Sequence, residues 1–202
     1  YSNKFLILEH PAISKFKGIN FKSLIDQSKL IPTIITEYFP TGTLKEYLKD
    51  QEKRGSKSSF SFTKKYIMLL GISDGMRSLY QHEIPHLDLK PENILIDSNY
   101  YPKITDFGLS TILNALFVKN IKSIRNGQSN SPIYIAPEIL KGGNDYGESY
   151  DVYSFSILDY SILADKKPYS ELSESITASE LISKIISGYR PKLSITEIPE
   201  KI

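Results

Sequence analysis

The chain has no cysteine among its 202 residues. That excludes disulfides and thiolate metal sites, and it suits an intracellular, cytoplasmic protein. It also lacks an excess of one charge: 25 Lys and Arg face 23 Asp and Glu, a net +2. Such a balance leaves no electrostatic footprint for nucleic acid and no basic face for a membrane. Long apolar runs are missing as well. The most apolar stretches, around Tyr66–Ile72 and Ser154–Ala164, are short or carry a charge, so no membrane span is expected. No secretory leader is legible at the start. The first residue is Tyr1 rather than Met, which implies an upstream start or processing. No internal repeat or long low-complexity tract stands out. What is present is ordinary: 40 % hydrophobic and 24 % charged residues, enough for one globular domain with a core.

Patterning predicts a small β-containing portion followed by a mainly helical one. Residues 5–8 (Phe-Leu-Ile-Leu) fit a helix end or a strand, and His10-Pro11 interrupts it. Ile31–Phe39 is rich in β-branched and aromatic side chains and reads as a buried strand, ended by Pro40-Thr41-Gly42. Thr43 is placed to cap a short helix, Leu44–Lys49. Residues 49–59 are charged and Ser-rich and read as a solvent loop. From Phe62 to Gln81, Tyr66, Leu69, Leu70, Met76, Leu79 and Tyr80 keep near-helical spacing, although Gly71 and Gly75 weaken it. Ile94–Ile96 and Pro102–Ile104 can pair as a hairpin across 97–101. Residues 106–138 lack periodicity and read as a long loop, a length usually kept for function. Val152–Leu163 is apolar nearly all round, hence a buried helix. Ser179–Ser187 is amphipathic and ends at Gly188.

The chemistry is concentrated in His86-Leu87-Asp88-Leu89-Lys90-Pro91-Glu92-Asn93. Phosphoryl transfer asks little covalent work of a protein. It needs a carboxylate to orient the attacking hydroxyl, cations to neutralise phosphate charge, and ligands for Mg²⁺. Asp88 can accept the hydroxyl proton, and Lys90 can reach the transferring phosphate. Asn93 offers an amide oxygen, a hard ligand of the kind magnesium prefers. Asp106-Phe107-Gly108 joins a carboxylate to an apolar anchor and a hinge, so it can hold a metal and move. Ala136-Pro137-Glu138 closes the long loop. Either tripeptide alone is a weak signal; the octapeptide and the order of all three are strong.

In this order these elements resemble the catalytic loop, the metal-binding segment and the end of the activation segment of protein kinases. The resemblance extends outwards. Ile34-Ile35-Thr36-Glu37-Tyr38-Phe39 is similar to the last strand of the N-lobe and the hinge. It implies Thr36 as gatekeeper, the backbones of Glu37 and Phe39 as adenine partners, and Leu95 as the floor beneath the base. Asp151-Val152-Tyr153-Ser154-Phe155 resembles the start of the large buried C-lobe helix, whose aspartate would brace the catalytic loop. His86 would take a core role, packed under Phe107. Gly188-Tyr189-Arg190-Pro191 looks like a segment of the tyrosine-kinase-like Ser/Thr group. Lys90 within Lys-Pro-Glu-Asn points to the Ser/Thr form, with Ser131 as part of the substrate platform.

The implied fold is α+β and two-lobed, with residues 1–39 a partial N-lobe and hinge and residues 40–202 a C-lobe without its last helices. The implied function is ATP-dependent phosphorylation of Ser/Thr on protein substrates in intracellular signalling, with ATP and Mg²⁺ as cofactors. Asp88, Lys90 and Asn93 are the catalytic set. Asn93 and Asp106 are the metal ligands. The oligomeric state is not legible.

Three departures from the pattern qualify this. No Gly-rich phosphate loop and no Val-Ala-Ile-Lys-like strand precede the hinge; only Lys4, Lys15, Lys17, Lys22 and Lys29 do, none in that setting. Leu87 stands where arginine is usual, which suggests activation without a phosphorylated loop. The arginine that normally pairs with Glu138 is missing, so a buried charge is expected to lack its partner. The alternative reading is therefore a pseudokinase or kinase fragment acting as a binding or scaffold module. A small-molecule phosphotransferase fits less well with Pro132-Ile133-Tyr134 and Ala136-Pro137-Glu138.

Overall fold

A computed structural model describes residues 8–20, 33–54, 61–107, 124, 132–144, 146–173 and 175–193, with side chains up to residue 51 in the second of these segments. Among them are four strands and five α-helices, in keeping with an α+β kinase-like fold. Strands β1 (Phe16–Asn20) and β2 (Thr33–Thr36) pair antiparallel, with Phe16 opposite Thr36 and Asn20 opposite Thr33. A bulge between Phe16 and Gly18 shifts the register. The strand expected to be buried over Ile31–Phe39 ends at Thr36, residues 31–32 lie outside the described residues, and its isoleucines are not buried. Ile34 and Ile35 are 47 % and 45 % exposed. β-branched residues favour extended backbone, but propensity does not say what covers the strand's faces.

Helix α1 (Leu44–Arg54) opens with a reciprocal cap. The Glu46 N–H donates to the Thr43 hydroxyl, and Glu46 Oε2 accepts the Thr43 N–H at 2.8 Å. It runs five residues past the expected end at Lys49. Residues 49–54 are therefore helix, not solvent loop, because Lys, Gln, Glu and Arg are good helix formers, and Gln51 turns inward to a buried position. Residues 55–60 lie outside the described residues, as do 5–7.

Helix α2 (Phe62–Gln81) has the predicted bounds, with Ser61 as its N-cap. Its glycines have a packing reason. A Cβ on Gly71 would stand 2.6 Å from Pro102, and one on Gly75 would stand 2.7 Å from Ile104. Missing side chains let α2 lie directly on the hairpin of β3 (Ile94–Ile96) and β4 (Pro102–Ile104). That hairpin also has the predicted bounds.

Within 106–138 the backbone forms a 3₁₀ turn at Pro132–Tyr134, and α3 (Pro137–Leu140) begins there. Glu138 on α3 is exposed, so the expected penalty of an unpaired buried charge does not arise. Helix α4 spans Glu148–Ala164 and starts four residues before the predicted Val152. It is buried along most of its length but not all round, since Val152 is 58 % exposed. Helix α5 (Ala178–Ile186) carries a second reciprocal cap, Thr177 with Glu180, and stops at Gly188, where φ is +94°.

Two apolar clusters hold these elements. One joins Leu44 of α1, Met68, Ile72 and Leu79 of α2, Leu89, the β3–β4 isoleucines, and Leu158 and Ile162 of α4. The other joins Leu87, Ile133, Ile135, Ile139, Tyr150, Ile157, Ile182 and Ile185. Leu87 and Leu89 fall in different clusters, so the loop carrying Asp88 is pinned on both sides. Lys65 near the start of α2 ties the helix to the end of α4, donating to the Leu163 carbonyl at 2.8 Å and pairing with Asp165.

Candidate active site

The loop 86–93 rests on one buried carboxylate. Asp151, in the first turn of α4, is 1 % exposed. Its Oδ2 accepts the His86 N–H at 2.7 Å and its Oδ1 accepts the Leu87 N–H at 2.8 Å. The Tyr80 hydroxyl, near the end of α2, donates to Oδ2 at 2.6 Å. The loop needs this support. Leu87 sits at φ +63°, left-handed backbone that costs a side-chain-bearing residue roughly 1–2 kcal/mol. His86 is fully buried, in line with a core role. Burial holds its imidazole below the usual pKa range, and Nδ1 accepts the Asp88 N–H at 3.3 Å. The neutral ring therefore carries its proton on Nε2.

Above this base three of the sequence-predicted side chains converge. Asp88, half-buried, accepts Lys90 Nζ through both oxygens, at 2.9 and 2.7 Å. Asn93 Nδ2 donates to the Asp88 carbonyl at 2.7 Å and to Asp88 Oδ2 at 2.9 Å. The 3₁₀ turn Pro91–Asn93 brings the amide back over the carboxylate, and Pro91 suits its first position. Both Asn93 N–H donors are thereby used, leaving its Oδ1 as the acceptor for other ligands.

Asp106 stands two residues past β4, exposed and at φ +59°. The Thr105 N–H donates to the Asn93 carbonyl at 3.0 Å, so Asn93 and Asp106 lie at adjacent ends of the hairpin. Among the described residues no three His, Cys, Asp or Glu side chains cluster to hold a metal ion. One amide and one carboxylate still fit magnesium, which takes few protein ligands and completes its shell with water and substrate phosphates.

The residues read from the sequence as a hinge lead into Thr43, which meets β3 on the edge away from β4. Thr36 ends β2, and its hydroxyl contacts the Glu37 carbonyl at 3.4 Å. The Glu37 N–H donates to the Lys15 carbonyl at 3.1 Å, and the Phe39 carbonyl accepts from Gly42 at 3.2 Å. The Phe39 N–H has no acceptor among the described residues. Thr43 bridges to Leu95 and Ile96 donates to the Gly42 carbonyl, stapling the hinge exit to β3. Ser131 and Gly108 lie outside the described residues.

Two features escaped the sequence reading. Tyr80 reads as one more apolar residue on α2, and nothing in its spacing announces a bond to Asp151. Lys45 pairs with Glu92 at 2.9 Å, linking α1 to the catalytic loop. Capping residues, in contrast, carried a usable signal in Thr-x-x-Glu at 43–46 and at 177–180.

An α+β fold with Asp88, Lys90 and Asn93 gathered on the loop before the β3–β4 hairpin is of the protein-kinase-like class. The protein kinase domain family matches residues 5–200, and the chain belongs to that family. Its members use ATP and a divalent metal and act on proteins. Relatives include the dual specificity protein kinase shkB of Dictyostelium discoideum, 36 % identical over 143 residues, 71 % of this chain and 21 % of that protein. The probable serine/threonine-protein kinase gdt4 of the same organism is 32 % identical over 200 residues, 96 % of this chain and 11 % of that protein. Human receptor-interacting serine/threonine-protein kinase 1 is 33 % identical over 202 residues, 94 % of this chain and 28 % of that protein. The chain thus spans less than a third of the length of these curated relatives. Among the described residues no helix is long and apolar enough to cross a membrane.

Proposed function

We propose that the protein phosphorylates serine and threonine on protein substrates, with ATP and Mg²⁺, as part of intracellular signalling in the cytoplasm. The observation that carries this reading is the Asp88–Lys90–Asn93 cluster, held over the buried Asp151. Bound Mg–ATP supplies the transferable phosphoryl group and a metal that neutralises its charge. Asp88 orients the substrate hydroxyl and accepts its proton. Lys90, now paired with Asp88, is placed to share its charge with the transferred group. Asn93 Oδ1 and Asp106 hold the metal. Thr36, the backbones of Glu37 and Phe39, and Leu95 receive the adenine, and Ser131 belongs to the substrate platform. In this reading residues 1–39 form the nucleotide-side portion with the hinge, and 40–202 the substrate-side portion.

A binding or scaffold module is the second reading, and one observation favours it. Of the described lysines before Thr36, Lys15 pairs with Glu9 and Lys17 approaches Glu37 at 3.8 Å, both as exposed ion pairs. Each ammonium group is thus engaged at the surface. The separating experiment measures ³²P transfer from ATP to Ser/Thr peptides by the full-length protein and its Asp88→Asn variant. A loss of about 10²–10⁴-fold on removing the carboxylate supports the kinase reading. Equal, background-level transfer by both proteins leaves the scaffold reading standing.

A further inference from the structure

Asp151 is a buried carboxylate held by neutral partners. Among the described residues no lysine, arginine or histidine side chain bonds to it; it accepts two backbone N–H groups and one hydroxyl. The two backbone donors belong to the loop being held. The hydroxyl of Tyr80 is therefore the one contact among these that comes from outside the loop and fixes where the carboxylate points. Tyr80 is suited to that task. Its ring is half-buried on α2 and packs against the core cluster that contains Leu79, Leu89 and Leu158. Burial and the neighbouring Asp151 charge push its phenol well above the usual range, so it stays a donor at any physiological pH.

The geometry of the loop makes that bond consequential. Glu83 and Leu87 both sit at positive φ, +58° and +63°. A chain segment held in that region relaxes when its anchors loosen. The residue after Leu87 is Asp88, whose carboxylate must meet a substrate hydroxyl at hydrogen-bond distance. An error of about 1 Å there costs on the order of a hundredfold in rate.

We propose that Tyr80 is a positioning residue for phosphoryl transfer: its hydroxyl orients Asp151, which holds the 86–88 backbone so that Asp88 faces the substrate. This rests on the kinase reading above, with Tyr80 touching neither nucleotide nor substrate. It acts through Asp151, on the rate of the chemical step rather than on binding.

The test uses full-length protein carrying Tyr80→Phe, which keeps the ring and removes only the hydroxyl, and Tyr80→His, which restores a donor. The expected result for Tyr80→Phe is a fall in kcat of about tenfold, with KM for ATP and peptide unchanged, and partial recovery in Tyr80→His. Tyr66→Phe, the same change at an exposed site on α2, leaves kcat alone. Unchanged kcat in Tyr80→Phe, or an equal fall in Tyr80→His, would overturn the proposal. Should the wild type transfer no phosphate, the kinase reading fails, and the anchoring role is judged by amide hydrogen exchange. Faster exchange at His86 and Leu87 in Tyr80→Phe upholds the anchor. Unaltered exchange removes it.

Discussion

The hinge side and the catalytic loop both carry functional candidates, yet they are held in opposite ways. Strand β2 exposes Ile34 and Ile35 and is paired to β1 through its backbone, and the side chain beside it, Glu37, makes only exposed contacts with Lys15 and Lys17. The catalytic loop is anchored by side chains: Asp151 and Tyr80 below, Leu87 and Leu89 in two separate cores, Lys90 and Asn93 above. The difference teaches what each job demands. In the proposed reading a flat base would be met by backbone groups, which any sequence supplies. A proton acceptor for a reacting hydroxyl needs one carboxylate fixed to a fraction of an ångström, and only a network of side chains does that.

Substitutions can break this contrast. The largest effect is expected from Asp151→Leu, which leaves two loop N–H groups and the Tyr80 hydroxyl unpaired in the interior. It should cost about 3–5 kcal/mol, read from urea unfolding. Ile104→Ala, in the core beneath the loop, is expected to cost about 2–4 kcal/mol, while Ile35→Ala on the exposed strand stays within about 0.5 kcal/mol. Equal costs at 104 and 35 would abolish the contrast.

Gly75→Ala sharpens it, because two effects oppose. Helix propensity favours alanine by about 1 kcal/mol. The new Cβ, however, would stand 2.7 Å from Ile104 and 3.3 Å from Ala12, and overpacking of that kind costs about 1–3 kcal/mol. Net destabilisation is expected, relieved in the double variant with Ile104→Val. A gain in melting temperature for Gly75→Ala alone would show that the α2–β4 contact is looser than its geometry.

The smallest effect concerns pH. His86 is buried, and its folded-state pKa lies below its unfolded value. The unfolded chain therefore binds the proton more readily. Stability contributed by neutral His86 is present above the unfolded pKa, near 6.5, and is lost as pH falls below it. Melting temperature should decline between about pH 7 and 5, and His86→Phe should flatten that slope. A slope unchanged by the substitution would assign the acid sensitivity elsewhere.

Much of the helical portion was legible beforehand because its signals are local. α2 and the β3–β4 hairpin have the bounds that periodicity and turn chemistry indicate. Boundaries failed where a helix continues through polar residues, as in α1 beyond Lys49, and where a strand's cover comes from elsewhere, as in β2. Asp88, Lys90 and Asn93 could be named together because they lie within six residues. The Tyr80–Asp151 bond could not, since 71 residues separate its partners.

The amino-acid order alone determined the family, through a contiguous motif whose residue types are dictated by phosphate and metal chemistry. It also determined where helices cap, because a Thr three residues before a Glu satisfies open backbone groups without outside help. Tertiary structure decided which faces are covered, why Gly71 and Gly75 sit within α2, and which residues hold the catalytic loop. Those depend on contacts between distant segments, and a buried carboxylate takes its meaning from whatever the fold brings within 3 Å of it.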